Sequence, residues 1–143
     1  MAGGCPASFK FELEINPMRF ISTRVHGVLD YLTAGVLIAA PSMLGFRQHG
    51  TQRWLPLALG VGTIGYSLLT DYEFGPFKVI PMPMHLALDA VNGVLLAASP
   101  WLFGFAEETS APHLGLGLFE ILVTACSQTT PDRGVHLAIH SSV

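Results

Sequence analysis

The sequence predicts an all-α, four-transmembrane-helix bundle built from two parallel two-helix repeats, and three observations lead there. First, the chain repeats itself. His26-Gly-Val-Leu-Asp30 and His85-Leu-Ala-Leu-Asp89 stand 59 residues apart, and Pro41, Gly45 and Phe46 recur as Pro100, Gly104 and Phe105 at the same offset. A self-similar unit used twice points to one supersecondary motif in duplicate. Second, only 12% of the 143 residues are charged, against about a quarter in a soluble domain, while half are apolar and mean hydropathy is +0.50. Third, segments 31–46, 54–70, 90–106 and 114–126 hold no Lys or Arg, and Glu120 is their single acid.

Taken in order, residues 1–17 lack the long apolar core of a signal peptide and read as a mobile N-terminal extension, with the repeat architecture starting at Met18. The first two-helix repeat is placed at 18–75. Its first helix carries the His26–Asp30 turn and then Val36-Leu-Ile-Ala-Ala40, which lacks the polar stripe of a water-facing helix. Pro41 bends or stops that helix near its outer end. The second helix bears Gly60, Gly62 and Gly65, small residues that permit close helix contact, and closes on Asp71, Tyr72 and Glu73. A Pro-rich inner connection, 76–83, leads to the second repeat, 84–130. There the third helix repeats the first, with Val94-Leu-Leu-Ala-Ala98 and Pro100. In the fourth, Leu114-Gly-Leu-Gly117 aligns with Leu59-Gly-Val-Gly62, which sets Glu120 opposite Gly65. Residues 131–143 form a C-terminal tail. A bilayer-crossing helix takes about 17–25 residues; the first three segments reach this with their flanking turns, and the fourth is marginal. Because each repeat crosses twice, both copies keep one orientation about an axis along the membrane normal.

Lys10, Arg19, Arg24, Lys78 and Arg133 fall on one side of this arrangement, Arg47 and Arg53 on the other. Basic residues favour the cytoplasmic side, so both termini are expected there, in the cytoplasmic membrane of a bacterium. Trp54 and Trp101, with Phe46, Phe103 and Phe105, then become interfacial anchors at the outer surface. The net charge of −3 and the lack of a basic run argue against nucleic acid as a partner. Cys5 and Cys126 are too few for a disulfide framework or a cysteine metal site. Nothing resembles a nucleophile with its base, a phosphate-cradling loop or a zinc motif, so no catalytic residue is assigned and catalysis is disfavoured.

The polar residues that remain are informative. His26 and Asp30 share one helix face, as do His85 and Asp89. Both pairs lie at inner helix ends, near Asp71 at the end of the second helix, and together they form an inner polar cluster. Ionisable groups inside a membrane cost several kcal/mol unless paired or hydrated, which makes these five the main site candidates. Three readings stay open: two local His–Asp hydrogen bonds that help hold the repeats together, a metal or haem site, and a proton or ion relay using histidine chemistry. Glu120, an acid midway along the fourth helix, is expected to face the bundle interior and bond a backbone carbonyl or Tyr66. His113, His136 and His140 are placed in a loop and the tail, with no role.

Several of these segments carry a resemblance. Ser99-Pro100-Trp101, its degraded copy Ala40-Pro41-Ser42, the Val25-His-Gly-Val-Leu-Asp30 opening, Leu68-Leu-Thr-Asp-Tyr-Glu73 and Ile80-Pro-Met-Pro-Met-His85 are similar to the SPW-repeat family of small bacterial membrane proteins. The resemblance covers about residues 18–126 and implies a four-helix prokaryotic membrane protein, without implying an activity. The expected function is a non-catalytic structural or accessory subunit that needs no cofactor. It would pack within membrane lipid against other membrane-protein subunits or as a homo-oligomer, since two short repeats bury little core. The alternative is a metal- or haem-binding, or proton- or ion-handling, membrane protein built on the His/Asp cluster.

Overall fold

The computed structural model describes residues 19–46 and 50–131. The extension 1–17 lies outside the described residues, as do 132–143 and the residues Lys10, Arg47, His49, Arg133, His136 and His140. The described chain is all-α: α1 (Thr23–Met43), α2 (Thr51–Leu69), α3 (Met82–Leu102), the single-turn α4 (Ala106–Thr109) and α5 (Ala111–Cys126). Short α4 is an element the sequence does not predict. It brings the described helices to five where four were expected.

Local chemistry sets the helix boundaries. Ser22 caps α1 by accepting a hydrogen bond from the Val25 amide at 3.3 Å. Prolines stand in the first turns of α3 and α5, where no intrahelical amide partner is lost. The recurring Pro-x-x-x-Gly-Phe motif is a helix stop. Gly45 and Gly104 adopt φ of 68° and 71°, the left-handed conformation a glycine tolerates without a Cβ penalty. The next residue then donates back to the proline carbonyl, Phe46 to Pro41 at 3.0 Å and Phe105 to Pro100 at 2.9 Å. This is the Schellman arrangement, whose apolar residue packs down onto the helix it ends. Phe46 and Phe105 are accordingly buried. Pro41 and Pro100 therefore belong to the last turns of α1 and α3 and do not break them.

Packing is strongest within each repeat, α1 on α2 and α3 on α5. A Cβ on Gly60 would meet the Ala34 carbonyl oxygen at 2.9 Å, and one on Gly117 would meet the Gly93 carbonyl oxygen at 2.5 Å. Ala34 and Gly93 are repeat equivalents, so Gly60 pairs with Gly117. Gly62, Gly65 and Gly115 have nothing within 4 Å of such a Cβ, so they serve no helix contact among the described residues. The alignment expected from Leu59-Gly-Val-Gly62 is thus corrected. The counterpart of Glu120 is Thr63, not Gly65.

Backbone bonds tie each repeat to the other. Ile21 donates to Cys126 at 3.0 Å and accepts from Gln128 at 2.9 Å; Ile80 donates to Leu69 at 2.8 Å and accepts from Asp71 at 2.8 Å. The segment entering each long helix thus pairs with the segment leaving the short helix of the preceding or following repeat. The connection between repeats is compact. A side chain on Gly75 would collide with the Thr70 carbonyl, and Lys78 takes φ of 48°.

Large apolar side chains cover the outer faces, while many polar ones are buried beside Leu37, Leu96 and Tyr72. Val25, Val28, Leu32 and Val36 face outward on α1, Trp54, Val61 and Leu68 on α2, Val91 and Val94 on α3, and Leu114, Leu118 and Leu122 on α5. The buried positions of α2 are Gln52, Pro56, Gly60, Thr63 and Ser67, none of them a large hydrocarbon. α1 and α3 are each long and apolar enough to cross a membrane, and fewer than half the residues of either span are buried, unlike the core helix of a soluble protein. α5 is apolar but shorter, and α2 does not meet the same measure.

Candidate functional site

His26 and His85 sit one turn inside α1 and α3, with Asp30 and Asp89 one turn further on. The two long helices bring these four side chains to one point, all buried, with one ligand atom from each lying within 4.8 Å of the others. The pairs are not separate local hydrogen bonds. His26 Nε2 lies 3.2 Å from its own Asp30 but 3.1 Å from Asp89. His85 Nε2 lies 3.2 Å from its own Asp89 and 2.9 Å from Asp30. The two Nε2 atoms are themselves 3.2 Å apart.

The shorter helices hold this centre from outside, each reaching into the other repeat. Ser127, just past α5, meets His26 Nδ1 at 2.8 Å, and Thr70, just past α2, meets His85 Nδ1 at 2.8 Å. Each hydroxyl also donates to a carbonyl four residues back, Ser127 to Val123 at 2.6 Å and Thr70 to Tyr66 at 2.7 Å. The Tyr66 hydroxyl donates to Asp89 Oδ1 at 2.6 Å and accepts from Asn92 at 3.1 Å. Beneath the centre the buried Tyr72 ring packs with Met82 and Leu86 and fills the space over Gly27. Burial holds its phenol above the usual tyrosine range, so it remains neutral.

Asp71 does not join the four-residue group. It is partly exposed and pairs with Lys78 at 3.5 Å. Glu73 accepts from Thr23 at 2.8 Å. Glu120 faces the interior as expected, but Tyr66 is committed to Asp89, and Glu120 Oε2 takes no hydrogen bond among the described residues. It lines a narrow cavity of about 10 Å³, alongside His26, Asp30, Thr63 and Asp89. That is about the room one water needs. Trp54 and Trp101 are both 59% exposed at the opposite end.

Sequence reasoning missed several residues. Thr70 and Ser127 occupy equivalent positions after the two short helices, and aligning the repeats on Gly60 and Gly117 exposes them. Asn92 had no such signal. His113 lies not in a loop but in the first turn of α5, fully buried. It is sandwiched between Phe46 and Phe105, ring centres at 5.3 and 5.0 Å, and bonds the Gln52 carbonyl at 3.0 Å.

The sequence profile of the SPW repeat domain matches residues 24–127, the stretch that contains both His/Asp turns and both Schellman stops. The chain belongs to the SPW repeat family. No curated protein and no solved structure matches it. In this SPW repeat protein the name-giving residues have structural work in view. Ser99 donates to Leu96 at 2.7 Å, Pro100 supplies the carbonyl of the helix stop, and Trp101 points outward. The first copy, with Ala40 and Ser42 at the flanking positions, keeps the stop without the outward ring.

Proposed function

We propose that this SPW repeat protein is an integral membrane protein that crosses the bilayer four times, with both termini in the cytoplasm of a bacterium, and serves as a non-catalytic structural or accessory subunit. The observation that carries the reading is the distribution of polarity: outward faces of Val, Leu and Trp around an interior in which Gln, Thr, Ser, His and Asp are buried beside Leu37, Leu96 and Tyr72. In water that outer face would form an apolar patch well beyond what a soluble monomer shows. In lipid it is the solvated face, and the four central side chains bond one another and Thr70, Ser127 and Tyr66. α2 and α5 are placed in the bilayer with α1 and α3 because they pack along them and turn Val, Leu and Trp outward. At 16 residues α5 spans only about 24 Å, so the bilayer thins locally around it or the flanking turns enter the interface. Trp54 and Trp101 are then headgroup-level anchors.

The accessory role is supported by the surface as well as by size. Gly62, Gly65 and Gly115 are exposed and meet nothing among the described residues, which leaves shallow places on α2 and α5 where a neighbouring helix packs closely. Extraction in a mild detergent followed by mass measurement of the particle tests the assignment. A homo-oligomer or a defined complex is expected. A strictly monomeric particle at all protein concentrations rules out the subunit role, and recovery in the soluble fraction without detergent rules out the membrane.

A further inference from the structure

Two hydroxyls settle which ring nitrogens carry protons. A serine or threonine hydroxyl has one proton to give. Ser127 gives its proton to the Val123 carbonyl and Thr70 to the Tyr66 carbonyl, at 2.6 and 2.7 Å. Toward His26 Nδ1 and His85 Nδ1 they can therefore only accept, so both Nδ1 atoms are N–H donors. Both Nε2 atoms are left facing the centre.

Around that centre stand two imidazole nitrogens and two carboxylates, with Asp89 Oδ1 turned away to Tyr66. Electron-pair donors at such distances repel unless positive charge lies between them. Protons on both Nε2 atoms could supply it, His26 giving to Asp89 and His85 to Asp30, but this places two imidazolium tips 3.2 Å apart. A single divalent cation has no such conflict, and neither has one imidazolium beside one protonated carboxyl; the donor dimensions and the fixed ring orientations favour the cation. It neutralises the two carboxylates and leaves a centre of zero net charge, the least costly charge state away from water.

The dimensions agree. Donors on a tetrahedral zinc ion at about 2.0–2.1 Å lie about 3.3 Å from one another. Five nitrogen–nitrogen and nitrogen–oxygen separations fall between 2.9 and 3.2 Å, reaching Asp89 Oδ2 and both oxygens of Asp30. One donor atom from each residue lies within 4.8 Å of the others, so the carboxylates have only to draw in around an ion. The outer arrangement fits as well, because a ligating histidine normally donates its second ring N–H to a fixed acceptor that sets its orientation. A porphyrin does not fit among side chains converging this closely.

We propose that His26, Asp30, His85 and Asp89 bind one divalent transition-metal ion of the zinc class, which staples the two repeats together. Two neutral imidazoles and two carboxylates suit zinc, iron(II), cobalt(II) or manganese(II), and the nitrogen donors disfavour calcium and magnesium. Thr70 and Ser127 are positioning residues. Each is supplied by one repeat to orient a histidine of the other. The proposal does not depend on the subunit role.

The test uses the full chain purified in mild detergent, stripped with a chelator and titrated with Co²⁺ by visible absorption and with Zn²⁺ by calorimetry. The expected result is one ion per chain, the intense visible bands of a four-coordinate cobalt centre, and a thermal unfolding midpoint that rises with metal concentration. Asp30→Asn with Asp89→Asn should abolish binding. Thr70→Val with Ser127→Ala should keep the stoichiometry and weaken affinity about 10–100-fold. Glu107→Gln, remote from the cluster, should bind normally. Absence of binding by stripped wild-type protein, a six-coordinate cobalt spectrum, or binding that survives the double Asp variant each overturns the proposal. The wild-type spectrum decides the matter even where a variant fails to fold.

Discussion

Gly115 and Gly117 stand two residues apart on α5, and the structure gives them opposite fates on substitution. A Cβ on Gly117 would lie 2.5 Å from the Gly93 carbonyl oxygen, 2.5 Å from the Ala97 nitrogen and 2.8 Å from Ala97 Cβ. Two of those atoms are backbone and cannot swing aside, so Gly117→Ala forces α3 and α5 apart along their closest contact. Overpacking of this kind costs about 1–3 kcal/mol, with the loss of dispersion contacts along the seam included. A Cβ on Gly115 meets nothing within 4 Å. There alanine only exchanges a poor helix former for the best one, a gain of about 1 kcal/mol at most.

That propensity gain is common to both variants, so their difference isolates the helix–helix contact. Gly117→Ala should be less stable than Gly115→Ala by about 1–3 kcal/mol, measured by thermal or denaturant unfolding in one detergent. Gly60→Ala and Gly62→Ala repeat the experiment in the first hairpin. The effect there should be smaller, because the nearest atom to a Gly60 Cβ is 2.9 Å away. Equal stability within each pair, measured on dissociated monomer, would refute the packing register and the equivalence of Gly60 with Gly117.

Asp89 accepts from Tyr66 as well as facing both imidazoles, whereas Asp30 faces the imidazoles alone. In chelator-stripped protein Asp30→Asn should therefore cost about 1–2 kcal/mol and Asp89→Asn about 1.5–3 kcal/mol, by unfolding in detergent; equal costs would contradict the assigned role of Tyr66. His113→Ala should loosen the outer ends of α1 and α3 by emptying the space between Phe46 and Phe105, at a cost of about 2–4 kcal/mol and with faster exchange of the Gln52 region, while leaving cobalt binding intact. Gly45→Ala and Gly104→Ala should each destabilise by about 1 kcal/mol or more through the left-handed cap, and by similar amounts. Single cysteines at positions 51 and 109 should be labelled from outside intact cells and one at 78 should not, in a background lacking Cys5 and Cys126; uniform labelling would contradict the orientation.

The architecture was largely legible because duplication and charge depletion are properties of the string itself. The matching His, Asp, Pro, Gly and Phe positions place α1 and α3 and their stops without any coordinates. The second helices were harder. Gly60-Val-Gly62 and Gly115-Leu-Gly117 offer two registers that differ by two residues, and only the contact with Ala34 and Gly93 selects one. A mistake of two residues on a helix rotates the face by more than half a turn, which is why Thr63, Thr70 and Ser127 went unassigned and Glu120 was set opposite Gly65. The four central residues were readable from their spacing, but their joint geometry was not. Sequence shows that His26 can reach Asp30; it cannot show that Asp89 is closer. α4 stayed hidden because a four-residue turn leaves no periodic signal.

One departure from symmetry lies at the centre itself. Tyr66 of α2 occupies the position that Val123 holds in α5, and Thr63 the position of Glu120. On the α2 side, Tyr66 fills the volume beside His85, with ring centres 5.1 Å apart, and ties Asp89 to Asn92 and α3. On the α5 side, Val123 is too short to do the same beside His26. The space it leaves is the cavity into which Glu120 presents an unpaired carboxyl oxygen. One half of the centre is therefore filled by an aromatic ring, and the other borders a space about the size of one water. Mutual packing of the repeats does not account for this difference, since a buried carboxyl oxygen without a partner costs stability.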